Sequence, residues 1–123
     1  MNQVFLSGRL PANPKGERLG PAGDLCVRFK LAVERDYRDE DGKRPVDWID
    51  CVAWRHTAEF MHKYLSRGQK ILVRGKCRVS RWTTADGKHA KRMEVMVESV
   101  EPMGWREQQT EEAAEGADDD SPS

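Results

Sequence analysis

Residues 46–82, VDWIDCVAWRHTAEFMHKYLSRGQKILVRGKCRVSRW, alternate apolar and polar at a period of two, lose that period over a short middle stretch, and then regain it. Such a pattern commits a chain to strand, short helix, strand. In the first strand Ile49, Cys51 and Ala53 share one face, while Trp48, Asp50, Val52 and Trp54 share the other. In the last strand Ile71, Val73, Gly75, Cys77 and Val79 form an apolar face, and Leu72, Arg74, Lys76, Arg78, Ser80 and Trp82 form a cationic face that ends in an indole. Each strand offers one side to a core and leaves the other carrying rings and positive charge. The helix between them is expected to begin near Thr57, with Ala58, Met61, Tyr64 and Leu65 on its apolar side and Glu59 in its first turn. Lys63 and Arg67 lie towards its other end, and Gly68 is expected to take the left-handed stop position.

The flanking segments supply more strands. Residues 4–10 place Val4, Leu6, Gly8 and Leu10 on one side, with a bulge or tight bend expected at Gly8. Residues 11–23 hold three Pro and three Gly and read as an irregular loop, with a short extended piece near Arg18 and Leu19. Strand character returns over 25–34, where Val27, Phe29, Leu31 and Val33 share a face. Two polar runs, 38–45 and 83–89, contain Asp41-Gly42 and Asp86-Gly87 and are expected to be protruding hairpin loops. In residues 91–100, Met93, Val95 and Val97 alternate with Arg92, Glu94, Met96 and Glu98. Five curved strands with a helix between the third and fourth describe an all-β OB-fold, a five-stranded Greek-key barrel plugged by the helix. Closure of the barrel would hide its strand edges.

Charge divides the chain. Residues 1–100 hold 20 Lys plus Arg against 13 Asp plus Glu, +7, whereas residues 101–123 hold 1 against 8, −7. We therefore expect a basic domain over 1–102 and a disordered acidic tail over 103–123. No apolar run approaches the roughly 20 residues of a membrane span, and the first residues alternate like a strand rather than forming a signal peptide. Cys26, Cys51 and Cys77 are odd in number and lack zinc-site spacing; they fit a reducing cytoplasm, two of them as small core residues. His56 and His62 fall on different sides of the helix start with nothing to complete a metal set, and no nucleophile has an arranged base. No enzyme activity, metal or cofactor is expected.

Rings beside cations on a non-core sheet face suit single-stranded nucleic acid, because a ring stacks on any base and Lys or Arg meets phosphate. The candidate phosphate contacts are Arg28, Lys30, Arg55, Arg74, Lys76, Arg78, Arg81, Lys88 and Arg92. Phe5, Phe29, Phe60 and Met61 read as core or subunit-interface residues, and Trp105 as a residue touching a neighbour or the domain's own surface. An RNA-binding or primosomal accessory role, and a structural oligomer whose Trp residues form subunit contacts, stand as alternatives.

The opening MNQVFLSGRL, FKLAV at 29–33, DWIDCVAWR at 47–55, Tyr64-Leu65 with Gly68, and VRGKCRVSRWTTADGK at 73–88 resemble the bacterial single-stranded DNA-binding protein family. The resemblance runs over residues 1 to 102 and implies sequence-independent protection of single-stranded DNA in replication, recombination and repair. By motif position it implies base stacking on Tyr37, Trp48, Trp54 and Trp82. It further implies a homotetramer of dimers paired through their first strands, in the cytoplasm at the nucleoid. The family's usual acidic tip ends in apolar residues with a terminal Pro-Phe, whereas this sequence shows Asp118 to Asp120 followed by Ser121-Pro122-Ser123. Docking of replication and repair proteins is therefore expected to be weak.

Overall fold

A computed structural model describes residues 1–104. Six strands and one helix follow in the order β1 (Val4–Arg9), β2 (Gly16–Leu19), β3 (Asp24–Glu34), β4 (Val46–Trp54), α1 (Arg55–Tyr64), β5 (Lys70–Thr83) and β6 (His89–Met103). They form one six-stranded sheet in the order β1-β5-β6-β4-β3-β2, and β1 also meets β3 at Arg9↔Ala32. The β4–β6 pairing is parallel and the others are antiparallel, so the sheet is mixed.

This corrects the expected five-stranded Greek-key barrel with its helix between strands three and four. The additional strand is β2, whose four residues pair with β3 from Gly16↔Val27 to Leu19↔Asp24. It is short, solvent-facing and set among glycines, so no apolar period marks it. Gly20 and Gly23 take positive φ and turn the chain back, closed by Gly23 N–H donating to the Gly20 carbonyl at 3.1 Å. Counting β2 moves the helix to between β4 and β5. Period-two patterning specifies which face is buried and says nothing about which strands are neighbours, so neither the parallel pairing nor the strand order follows from it.

The core lies under the odd-numbered face of β3 and β4. Val27, Leu31, Cys51 and Ala53 pack there with Ile71, Val73 and Val95, capped by Ala58, Met61 and Leu65 of the helix segment. Burial pushes the Cys51 thiol up to about 12, so it remains neutral. Tyr64, expected on the apolar side of the helix, is exposed and lies tilted against Phe60 with ring centroids 5.3 Å apart.

The helix starts at Arg55, earlier than Thr57, with no connecting residues after Trp54. Arg55 makes this junction by adopting φ 56, a strained conformation for a residue with a side chain, and its first turn holds no acid. Glu59 consequently does not serve the helix amino end. At the other end Leu65 is the cap, its N–H donating to Met61 at 3.1 Å. Gly68 has φ 88 but serves the turn into β5, where its N–H donates to the Leu10 carbonyl at 2.7 Å. Gly8 makes no bulge either: β1 runs in continuous register through Gly8↔Ile71.

Both Asp-Gly loops turn as expected. Asp39 N–H donates to Lys43 O at 2.7 Å in the first, and Thr84 N–H donates to Lys88 O at 2.8 Å in the second. The second ends an arm in which β5 and β6 pair all the way to Thr83↔His89, past the last β4–β6 pair. Val79 and Met93, placed by alternation on the core side, face each other on that arm and are exposed.

Candidate nucleic-acid interface

Register places the even-numbered residues of β3 and β4 on one outward face. Arg28 stands opposite Val52, Lys30 opposite Asp50, and Ala32 opposite Trp48. The parallel pairing Val52↔Met96 carries this face onto β6, and Met96↔Lys76 and Glu94↔Arg78 carry it onto β5. Alternation beyond Arg78 puts Ser80 and Trp82 on the same side of the arm. Trp48, Trp54 and Trp82 thus share one continuous face. Trp48 is 56% exposed and Trp82 47%, whereas Trp54 is half-buried at the strand-to-helix junction.

The cations expected to meet phosphate are distributed unevenly. Arg28, Lys30, Lys76, Arg78 and Arg92 lie on this face. Arg74 precedes a register shift and pairs with Glu98 at 3.0 Å, and Lys76 reaches the same carboxylate at 3.7 Å. Arg55 stands at the helix start, 3.3 Å from Asp24. Arg81 alternates to the reverse side of the arm and Lys88 sits in its terminal loop; among the described residues neither has an ion pair.

Tyr37 is placed differently from the three tryptophans. Its hydroxyl accepts a hydrogen bond from the Arg35 guanidinium at 2.9 Å, and Arg35 grips Asp47 through Nε at 3.1 Å and through its terminal nitrogen at 2.9 Å. Asp47 precedes Trp48 and therefore projects from the opposite face of β4. Tyr37 is thus tethered through Arg35 to Asp47.

The Arg35 hydrogen bond holds the Asp47 carboxyl below its usual range, and the same bond raises Arg35. With the folded pKa of Asp47 below its unfolded one, the clamp is complete above the ordinary carboxylate range and is lost as pH falls through the lowered value. In an NMR titration the Tyr37 ring resonances should hold steady from neutral pH through the ordinary carboxylate range and move only below it. Asp47→Asn should abolish that step; a step that survives the substitution would show that another group loosens the tether.

Sequence reasoning did not single out the carboxylates of the tryptophan face. Asp50 accepts from Lys30 at 2.9 Å and lies 3.9 Å from Arg92. Glu94 is paired with Arg78 at 2.6 Å, Arg92 at 3.6 Å and Arg28 at 3.9 Å. Their signal was present, since Glu94 and Glu98 share the parity of Arg92, but opposite charges become partners only once strand neighbours are known. A groove of about 480 Å³ opens beside them, between the 11–15 segment and the β3–β4 face, lined by Pro11, Asn13, Arg28, Phe29, Lys30 and Arg92 among others. A second hollow of about 540 Å³ lies at Trp82, with Arg81, His89 and Lys91. Cations of the tryptophan face thus wall the first hollow, and Trp82 itself lines the second.

The model of the Single-strand binding protein family matches residues 1–103. The chain is similar to single-stranded DNA-binding protein 2 of Listeria innocua, at 39% identity over 82% of this chain and 63% of that protein. It is similar to the single-stranded DNA-binding protein of Bacillus cereus, at 39% identity over 82% of this chain and 59% of that protein. It also matches single-stranded DNA-binding protein 1 of Streptococcus pyogenes, at 32% identity over 87% of this chain and 82% of that protein. The chain thus spans less than two thirds of the length of the first two relatives.

Proposed function

The chain belongs to the Single-strand binding protein family, and from that premise we propose that it binds single-stranded DNA without reading its sequence. The observation that carries this reading is the sharing of one sheet face by Trp48, Trp54 and Trp82 with Arg28, Lys30, Lys76, Arg78 and Arg92 between them. Bases stack on the rings and phosphates meet the guanidinium and ammonium groups. Tyr37, an exposed ring held at its hydroxyl by Arg35, joins the stacking set in this reading. Residues 1–102 form the binding domain in this reading, and 103–123 an acidic appendage; residues 105–123 of it, Trp105 among them, lie outside the described residues.

The same reading extends to a homotetramer acting at the nucleoid in replication, recombination and repair, where it meets proteins of those processes. Phe5, exposed on β1, supports a subunit contact through the first strand. No helix among the described residues is long and apolar enough to cross a membrane.

A fluorescence titration with oligo-dT at low and high salt tests the proposal, run beside native mass spectrometry for the subunit count. Tryptophan emission should be quenched on binding, and affinity should fall steeply with salt. Because stacking and phosphate contacts carry little base information, oligo-dT and mixed-sequence strands should bind within a modest factor of each other, and both far better than duplex. Preferential binding of duplex, or of RNA in competition, would overturn the assignment.

A further inference from the structure

Among the described residues, Glu94 is the one carboxylate of the tryptophan face that is buried, at 5% exposure, beside Val52, which is also buried there. The arginines around it come from three strands. Arg78 on β5 donates to its Oε1 at 2.6 Å from the directly opposed position. Arg92 lies two residues earlier on β6, with 3.6 Å to Oε2, and Arg28 reaches the same oxygen at 3.9 Å from β3, across the intervening β4. All three arginine side chains remain 50 to 56% exposed. Each guanidinium carries five N–H donors, so its bond to Glu94 leaves donors free to turn outward.

Charge counting alone makes this acid unfavourable for phosphate binding. A buried carboxylate is tolerated only because cations surround it, and it holds those cations in return. Arginine side chains lose rotamer freedom when they grip phosphate, and that loss is smaller when they are already held. Two of the three, Arg28 and Arg92, also line the groove beside the face. Resting on the single-strand reading above, we infer that Glu94 is a positioning residue that gathers Arg28, Arg78 and Arg92 from three strands into one phosphate-binding cluster.

Positioning and simple charge predict opposite signs, which makes the inference testable in the full chain by oligo-dT titration across a salt series. Glu94→Gln should weaken binding on the order of 10-fold and flatten the salt slope by about 0.7 for each phosphate that the arginines no longer neutralise. Glu94→Asp keeps the charge but retracts the carboxylate, and should also weaken binding. Glu98→Gln removes a more exposed acid from the same face and should bind as well as wild type or better. Tighter binding by Glu94→Gln, like that of Glu98→Gln, would overturn the inference, as would wild-type affinity for Glu94→Asp. If Glu94→Gln does not fold, by circular dichroism, then Glu94→Asp decides: weakened binding with a flatter salt slope sustains the inference and wild-type affinity refutes it. Wild-type protein that fails to bind oligo-dT would instead remove the functional reading on which the inference rests.

Discussion

Trp48→Ala should weaken binding of oligo-dT by ~1 to 3 kcal/mol, about 5- to 150-fold, and leave the urea midpoint of unfolding unchanged. Trp48 is 56% exposed and stands opposite Ala32, so its indole contributes little to the core and much to the outward face. Trp48→Phe keeps a ring and should retain most of the affinity. Trp54 is a less clean probe. It is half-buried and is the residue from which the helix starts, so Trp54→Ala should lose stability together with binding. An unchanged isotherm for Trp48→Ala, with quenching of the remaining tryptophans intact, would move the binding track elsewhere.

The assignment of residues to faces was legible because a half-buried strand leaves its period in the sequence. Trp48, Trp54 and the cations of residues 74–78 stood out in this way, and so did both Asp-Gly hairpins. What escaped depends on relations between strands. The β2 strand, too short and too exposed to carry a period, showed only as an extended piece near Arg18 and Leu19, and its pairing with β3 did not show. Tyr37 reads as one more ring near the face, and its link through Arg35 to Asp47 depends on a pairing that the sequence does not show. Val79 and Met93 read as core, although no third strand reaches far enough to cover them. The alternation of β6 also changes parity. Val95 and Val97 face the core, and so does Val100, because Glu98 is an extra residue at the register shift opposite Arg74 and Gly75. One bulge therefore places Glu98 between Arg74 and Lys76 and sets their ion pairs.

That bulge depends on a glycine, and Gly75→Ala should be among the most damaging single substitutions in the domain, destabilising it by about 3 kcal/mol or more in urea unfolding. A Cβ at Gly75 would lie 2.2 Å from the Met96 carbonyl oxygen, 3.0 Å from its carbon and 3.1 Å from the Val97 Cα. All three are backbone atoms, so no rotamer change relieves the overlap; β5 and β6 must separate or the register must change. A one-residue slip would turn Arg78 and Lys76 towards the core and Cys77 outward, which burial of two charges forbids. Gly42→Ala is the comparison. Gly42 has φ 78 but open space around it, so only the conformational term of about 1 to 2 kcal/mol applies. Since β5 carries Lys76 and Arg78 and β6 carries Arg92 and Glu94, the fraction of Gly75→Ala protein that folds should also bind oligo-dT with a flatter salt slope than Gly42→Ala. If Gly75→Ala unfolded at the same urea concentration as wild type, the close approach of β5 to β6 at this point would not be what holds the cationic face together.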